Sequence, residues 1–185
     1  CGWYARKKSD HFRYYRMLVK EFAELIKIDP WLICTDFSKV ADVDFFDNAS
    51  LERIAEAVDA ILKKTAFKFE EYGIKDKPYV VVKNDAGTYG MAVMIVHSGD
   101  EVRKMNRRQK MSMAVGKGKR KVTEVIVQEG VETADRFQEH TAEPVIYLVS
   151  NEMTGGFFRL HEGKNERDNL NSPGMKFTKL CFHEM

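Results

Sequence analysis

The feature that most limits how this chain can fold is the run Val81-Val82-Lys83-Asn84-Asp85-Ala86-Gly87-Thr88-Tyr89-Gly90-Met91. An apolar stretch delivers one lysine and then breaks at two glycines. Pro78 to Val82 reads as a buried strand and Met91 to Val96 as a second, so the glycines fall at the tip of a hairpin. Glycine lets the backbone bend until consecutive N–H groups point at an anion, and the lysine adds a mobile positive charge at the same place. A Walker-type loop is excluded. It requires the lysine after the last glycine, then Ser or Thr and a helix, whereas here the lysine comes first and a strand follows.

Elsewhere the periodicity changes. From His11 to Ile28, Tyr15, Leu18, Val19, Phe22, Leu25 and Ile26 recur at three- and four-residue spacing, one apolar stripe of an amphipathic helix that Pro30 ends. Residues 29–47 lack a sustained period and read as a connector with one short strand. A second helix is predicted from Leu51, capped by Ser50, with Ile54, Val58, Ile61 and Leu62 on one face, ending near Tyr72-Gly73. Ser98 and Glu101 have capping-box spacing, and a basic helix to about Met113 follows. Val115 to Lys119 reads as a glycine-lysine loop, and Val122 to Val127 as a strand. Pro144 to Val149 and Gly156 to Leu160 read as two further strands joined through Asn151 and Gly155. Residues 162–174 read as an exposed polar loop. Helices and hairpins mix without the alternation of a doubly wound sheet, and the fold class is α+β.

The 185 residues, 44% hydrophobic, suffice for one domain or two small lobes. No apolar stretch approaches the roughly 20 residues that cross a bilayer, and no signal segment opens the chain, so the expected location is cytoplasmic. Cys1, Cys34 and Cys181 have neither metal spacing nor scaffold density and read as free thiols. The five histidines show no ligand spacing. A chain that begins at Cys1 and stops at Met185 reads as a piece of something longer. Net charge is only +2, yet Arg103, Lys104, Arg107, Arg108, Lys110, Lys117, Lys119, Arg120 and Lys121 occur with no acidic residue among them. Two readings stand: a nucleic-acid patch, or a solvated face balanced by charges elsewhere. Few aromatics interleave, which argues against a stacking platform for single strands.

Four segments, in order, resemble the ATP-grasp ligases: Val81 to Gly90, the strand ending in Val127-Gln128-Glu129-Gly130-Val131, the strand pair Val145 to Arg159, and Arg167-Asp168-Asn169-Leu170-Asn171-Ser172-Pro173-Gly174. The wording of Gly73 to Lys83, Ala86 to Met91, Val125 to Val131 and Asn169 to Met175 is similar to one bacterial family, the ATP-grasp type of glutamate-cysteine ligase. So is the opening, with Gly2-Trp3, Lys8-Ser9, His11-Phe12 and Ile28-Asp29-Pro30-Trp31-Leu32. The resemblance implies two α+β lobes with a nucleotide between them. It divides the chain into a helical segment and connector at 1–47, a first lobe with the glycine loop at 48–127, and a hinge with the start of a second lobe at 128–185.

The resemblance also implies the chemistry, an ATP-dependent joining of the L-glutamate side-chain carboxylate to the L-cysteine amine through an acyl phosphate, the first step of glutathione synthesis. Lys83, Gly87, Thr88 and Gly90 would hold the ATP phosphates. Gln128, Glu129 and Val131 would form the adenine hinge, mostly through backbone hydrogen bonds, and Glu132 would reach the ribose. Arg159, Arg167 and Asn169 would act on the transferring phosphate or a substrate carboxylate. A second ATP-contacting lysine is usual in that superfamily, with Lys63 and Lys64 as candidates. Mg²⁺ is implied as well, but its ligands are not identifiable here, because the family's acidic residues and asparagine follow a loop like 167–174 and Glu184 is the sole acidic residue after it. Another ATP-grasp carboxylate-amine ligase, a basic nucleic-acid-binding module and a catalytically silent domain remain as alternatives.

Overall fold

The computed structural model describes residues 6–86 and 90–180, apart from the Lys117 side chain. It is a mixed α+β chain that divides into two compact units, Cys1–Gly130 and Val131–Met185. No helix among the described residues is long and apolar enough to cross a membrane.

The first unit contains α1 (Lys8–Ile26), a 3-10 turn (Pro30–Ile33), β1 (Phe37–Val40), α2 (Asn48–Glu71), β2 (Val80–Asn84), β3 (Val93–Val96), α3 (Gly99–Arg103), α4 (Arg107–Ala114) and β4 (Val125–Glu129). Its sheet runs β1-β4-β2-β3, with every pair antiparallel. The predicted hairpin is present, with Val80 opposite Val96 and Lys83 opposite Val93. The connector of the N-terminal segment supplies one short strand, β1, which pairs with β4 in this sheet.

Alternation decides which residues form the core. Val80 and Val82 of β2, Val125 and Val127 of β4 and Val96 of β3 point to one face, where Ile54, Val58 and Ile61 of α2 pack against them. Val58, Val80, Val82 and Val127 are fully buried. Truncating any of these valines to alanine should cost about 2–3 kcal/mol, because the rigid surroundings leave a cavity.

Helix ends depart from the sequence reading where tertiary partners supply the caps. Asp47, not Ser50, caps α2 by accepting from the Ser50 N–H at 2.8 Å. The Ser98 side chain makes no capping bond to α3; the Gly99 N–H donates instead to Asp59 Oδ1 of α2 at 2.7 Å. A Cβ at Gly99 would lie 2.4 Å from Asp59 Oδ2 and 2.7 Å from the Ala55 carbonyl, so only glycine lets α3 approach α2 this closely. The single basic helix expected to reach Met113 is two helices. Asn106 and Gln109 form a reciprocal capping box that starts α4 afresh.

The largest departure concerns α1. Its predicted apolar stripe exists, but it faces away from the sheet. Val19 and Ala23 are buried, whereas Leu18, Phe22 and Leu25 are 65%, 52% and 78% exposed.

The second unit is an antiparallel sheet in the order β5-β6-β7-β8, formed by Arg136–Phe137, His140–Val149, Glu152–Leu160 and Lys176–Lys179. The β6–β7 turn lies at Ser150-Asn151, two residues in the left-handed region, so Gly155 sits within β7 and not in the turn. Residues 161–175 form the expected polar loop, anchored by buried Leu170.

Candidate functional site

The sheet face opposite α2 carries the chemistry of the first unit. Val81 and Lys83 alternate onto it from β2, Gln128 from β4, and Phe37 and Lys39 from β1. Lys83 Nζ donates to Gln128 Oε1 at 2.5 Å, and Gln128 Nε2 donates to Thr35 Oγ1 at 2.6 Å. The ammonium also lies 5.4 Å from the Phe12 ring centroid. No carboxylate pairs with Lys83 among the described residues. Burial, with Lys8 nearby as a second cause, pushes its pKa down to about 8.

Lys8 was not expected here. Its Nζ donates to the Asn84 carbonyl at 2.6 Å, and burial lowers its pKa although Asp85 partly offsets the effect. Asp85 is what brings α1 to this place. Fully buried, it accepts from the Ser9 N–H and the Ser9 hydroxyl, each at 2.7 Å, while its backbone carbonyl takes the Lys8 N–H at 2.9 Å. The loop thereby caps the start of α1 in place of any local side chain. Neighbouring Lys7 and Lys39 are neutralised by Glu124, and Lys39 also lies 3.6 Å from Asp85. Lys8 and Lys83 are thus two adjacent ammonium groups held where charge is disfavoured, an arrangement that a bound anion would relieve. They flank the start of the glycine loop. Gly90 has φ +66°, a left-handed value that glycine tolerates; Gly87 and Thr88 lie outside the described residues. The signal that could have found Lys8 is its place in the Lys8-Ser9 opening; no local spacing links it to Lys83.

Lys63 and Lys64 do not join this group. They line a cavity of about 560 Å³ on the α2 side, together with Trp31, Cys34, Asp36 and Glu129. Lys64 pairs with Asp36 at 3.0 Å, and Arg16 pairs with the same carboxylate. Cys34 is a free thiol. Glu129, one residue beyond Gln128, alternates to this side as well. Its carboxylate accepts from Trp31 Nε1 at 2.8 Å and from the Asp36 N–H at 2.9 Å. Its own N–H, which the hinge reading would leave for a nucleotide, is donated to the Asp36 carbonyl, and the Gly130 N–H goes to Tyr79. The Glu129 side chain therefore clamps residues 31–36 onto β4.

Burial raises the Glu129 pKa, so its ionised form is the less favoured in the fold. The stability it contributes is complete below the unfolded-state value and is lost as pH rises through the folded one. Glu129→Gln should flatten the stability curve above about pH 4, measured by urea denaturation. An unchanged slope would show that this carboxyl does not titrate as described.

In the second unit, Arg159 and Glu143 are direct cross-strand partners and pair at 2.8 Å, while Arg159 Nε is buried with no partner among the described residues. Arg167 and Glu132, expected in separate roles, pair with each other at 2.6 Å. Asn169 Oδ1 accepts from the Asn171 N–H at 3.1 Å, a side-chain turn that shapes its own loop. Val131 is 66% exposed and makes its apolar surface available. The basic run of the first unit is partly neutralised: Arg103 meets Glu52, Asp59 and Asp100, Lys104 meets Asp100, and Lys121 meets Asp44. Those carboxylates, most of them distant in sequence, favour the solvated-face reading. Among the described residues no three His, Cys, Asp or Glu side chains stand together as a metal site.

The first unit is α+β, with half-buried Lys8 and Lys83 near the end of β2, and comparison with known proteins gives its family. The glutamate-cysteine ligase family model, GshA, matches residues 1–185, and the chain belongs to that family. A crystal structure from Methylobacillus flagellatus KT, of a protein named provisionally as a gamma-glutamylcysteine synthetase, is similar at 44% identity with a TM-score of 0.84. The match covers 97% of this chain and 43% of that one, so the chain spans less than half the length of its solved relative. No curated protein matches it.

Proposed function

We propose that the chain is the nucleotide-phosphate part of an ATP-grasp glutamate-cysteine ligase, and the observation that carries this is the half-buried pair Lys8 and Lys83 at the end of β2, where the chain leads into the glycine loop. Family membership and the likeness to a protein named as a gamma-glutamylcysteine synthetase support the same reading. In this reaction a side-chain carboxylate oxygen of L-glutamate attacks the γ-phosphorus of ATP, forming the acyl phosphate as ADP leaves. The L-cysteine nitrogen then attacks the acyl carbon, the amide forms, phosphate departs with the C–O electron pair, and the nitrogen loses a proton. Such transfers need positioning and charge stabilisation more than covalent help. Lys8 and Lys83 supply two cations for the phosphates, and Gly87, Thr88 and Gly90 the covering loop. Gln128 holds Lys83 in place.

Val131 and Glu132 keep their assignment to adenine and ribose, and Arg159, Arg167 and Asn169 theirs to the phosphate or a substrate carboxylate. Arg167 and Glu132 must then exchange their mutual ion pair for ligand contacts. Among the described residues no three His, Cys, Asp or Glu side chains stand together to hold Mg²⁺, and one or two carboxylates with the ATP phosphates would be enough to bind it. The cytoplasm is the proposed compartment, consistent with the free thiol at Cys34.

Two measurements test the reading. ATP should bind this chain in calorimetry, and Lys8→Met should weaken it about tenfold or more, the loss of one charge-assisted contact. The longer enzyme should release ADP only when glutamate and cysteine are both present. ADP release that answers to a different amine would move the assignment to another ATP-grasp carboxylate-amine ligase.

A further inference from the structure

The stripe on α1 leaves a continuous row of large apolar side chains exposed among the described residues. Tyr14, Tyr15, Leu18, Phe22, Leu25 and Ile26 are between 42% and 78% exposed. At 100° per residue they fall in one continuous sector, while Val19 and Ala23, which enter the core, lie on the adjoining one. Together they offer roughly 700 Å² of side-chain surface, close to what one partner contributes to a standard protein interface. A soluble surface rarely keeps so much contiguous apolar area uncovered.

We infer that this face is a docking surface for the part of the ligase fold that lies outside these 185 residues. The occupant is argued from the relative. Nearly all of this chain superposes on that protein but accounts for only 43% of it, so the same fold is one part of a longer polypeptide there. The partner surface is an apolar protein face. The inference rests on family membership and not on the nucleotide reading, and it stands or falls independently of ATP binding.

Hydroxyl-radical footprinting of two wild-type proteins tests it without any risk of misfolding. In this chain the peptide spanning Leu18, Phe22 and Leu25 should label strongly; in the Methylobacillus flagellatus protein the aligned helix should label about fivefold less or lower, as a covered face does. A second test compares Leu18→Glu/Leu25→Glu here with the aligned substitutions there. This chain should keep its thermal midpoint within about 2 °C, because the residues are exposed, whereas the longer protein should lose about 5 °C or more. Equal labelling of the two helices, or equal shifts, would overturn the inference. So would sedimentation showing this chain to be a dimer that the double substitution dissociates, since the occupant would then be a second copy.

Discussion

Replacing Lys83 with methionine should stabilise the fold and abolish most nucleotide binding, two effects of opposite sign from one substitution. In the free protein the ammonium is half-buried, has an amide oxygen and, among the described residues, no carboxylate as partner, and feels the charge of Lys8. Its pKa of about 8 lies below the ordinary lysine value. The sign follows from proton counting. Between pH 8 and about 10.4 the unfolded chain holds a proton that the folded chain has released, so stability rises with pH across that window. Below pH 8 the penalty for the buried charge is complete.

Methionine fills the same volume without charge, and the variant should gain about 1 kcal/mol at pH 7, a gain that fades between about pH 8 and 10. ATP affinity should fall by about 30- to 100-fold, the worth of a charge-assisted contact in a partly desolvated site. For the wild type, ATP should take up protons on binding near pH 8 and bind more weakly above it, because phosphate restores the ordinary lysine pKa. Calorimetry in buffers of different ionisation enthalpy reads that uptake. A Lys83→Met variant that is less stable and binds ATP as the wild type does would remove Lys83 from the site.

Gly130→Ala should be among the most damaging single-methyl additions at the described glycines of the first unit. The Cβ it adds would lie 2.2 Å from the Tyr79 ring, inside any tolerated contact, and Tyr79 is only 4% exposed. The Gly130 N–H is bonded to the Tyr79 carbonyl, so the backbone cannot easily retreat either. The expected loss is about 2–4 kcal/mol, a thermal midpoint lower by roughly 10 °C or more. Because the cause is the ring, Gly130→Ala should be partly rescued by combination with Tyr79→Leu. A double-mutant cycle with no coupling between the two positions would show that the clash is absorbed elsewhere.

Much of the first unit is legible in its residues because the signals there are local. The β2–β3 hairpin needs only an apolar run on either side of glycines, and α2 needs only apolar residues at helical spacing with Asp47 ahead of them. The break between α3 and α4 has no glycine or proline to announce it; its sign is the Asn106/Gln109 pair, which competes with a continuous helix through local hydrogen bonds. Periodicity in α1 reports an apolar face correctly but carries no information about what covers it. The geometry of Lys83 with Gln128, Lys8 with Asn84, and Ser9 with Asp85 depends on strand register and on where α1 docks, and neither is a property of any short segment.

The one-residue step from Gln128 to Glu129 shows the limit most clearly. In the sequence they are neighbours in a single hinge motif; in the sheet the pleat sends Gln128 to Lys83 and Glu129 to Trp31 on the opposite face. The sequence by itself determined the α+β class, the hairpin with its lysine and glycines, and the family, all carried by local pattern and wording. Only the tertiary structure decided that Lys8, not Lys63 or Lys64, stands beside Lys83, and that the α1 stripe points outward. Both depend on the buried Asp85 fixing the start of α1 against the loop, and a contact between residues so far apart in the chain leaves no periodic trace in the sequence.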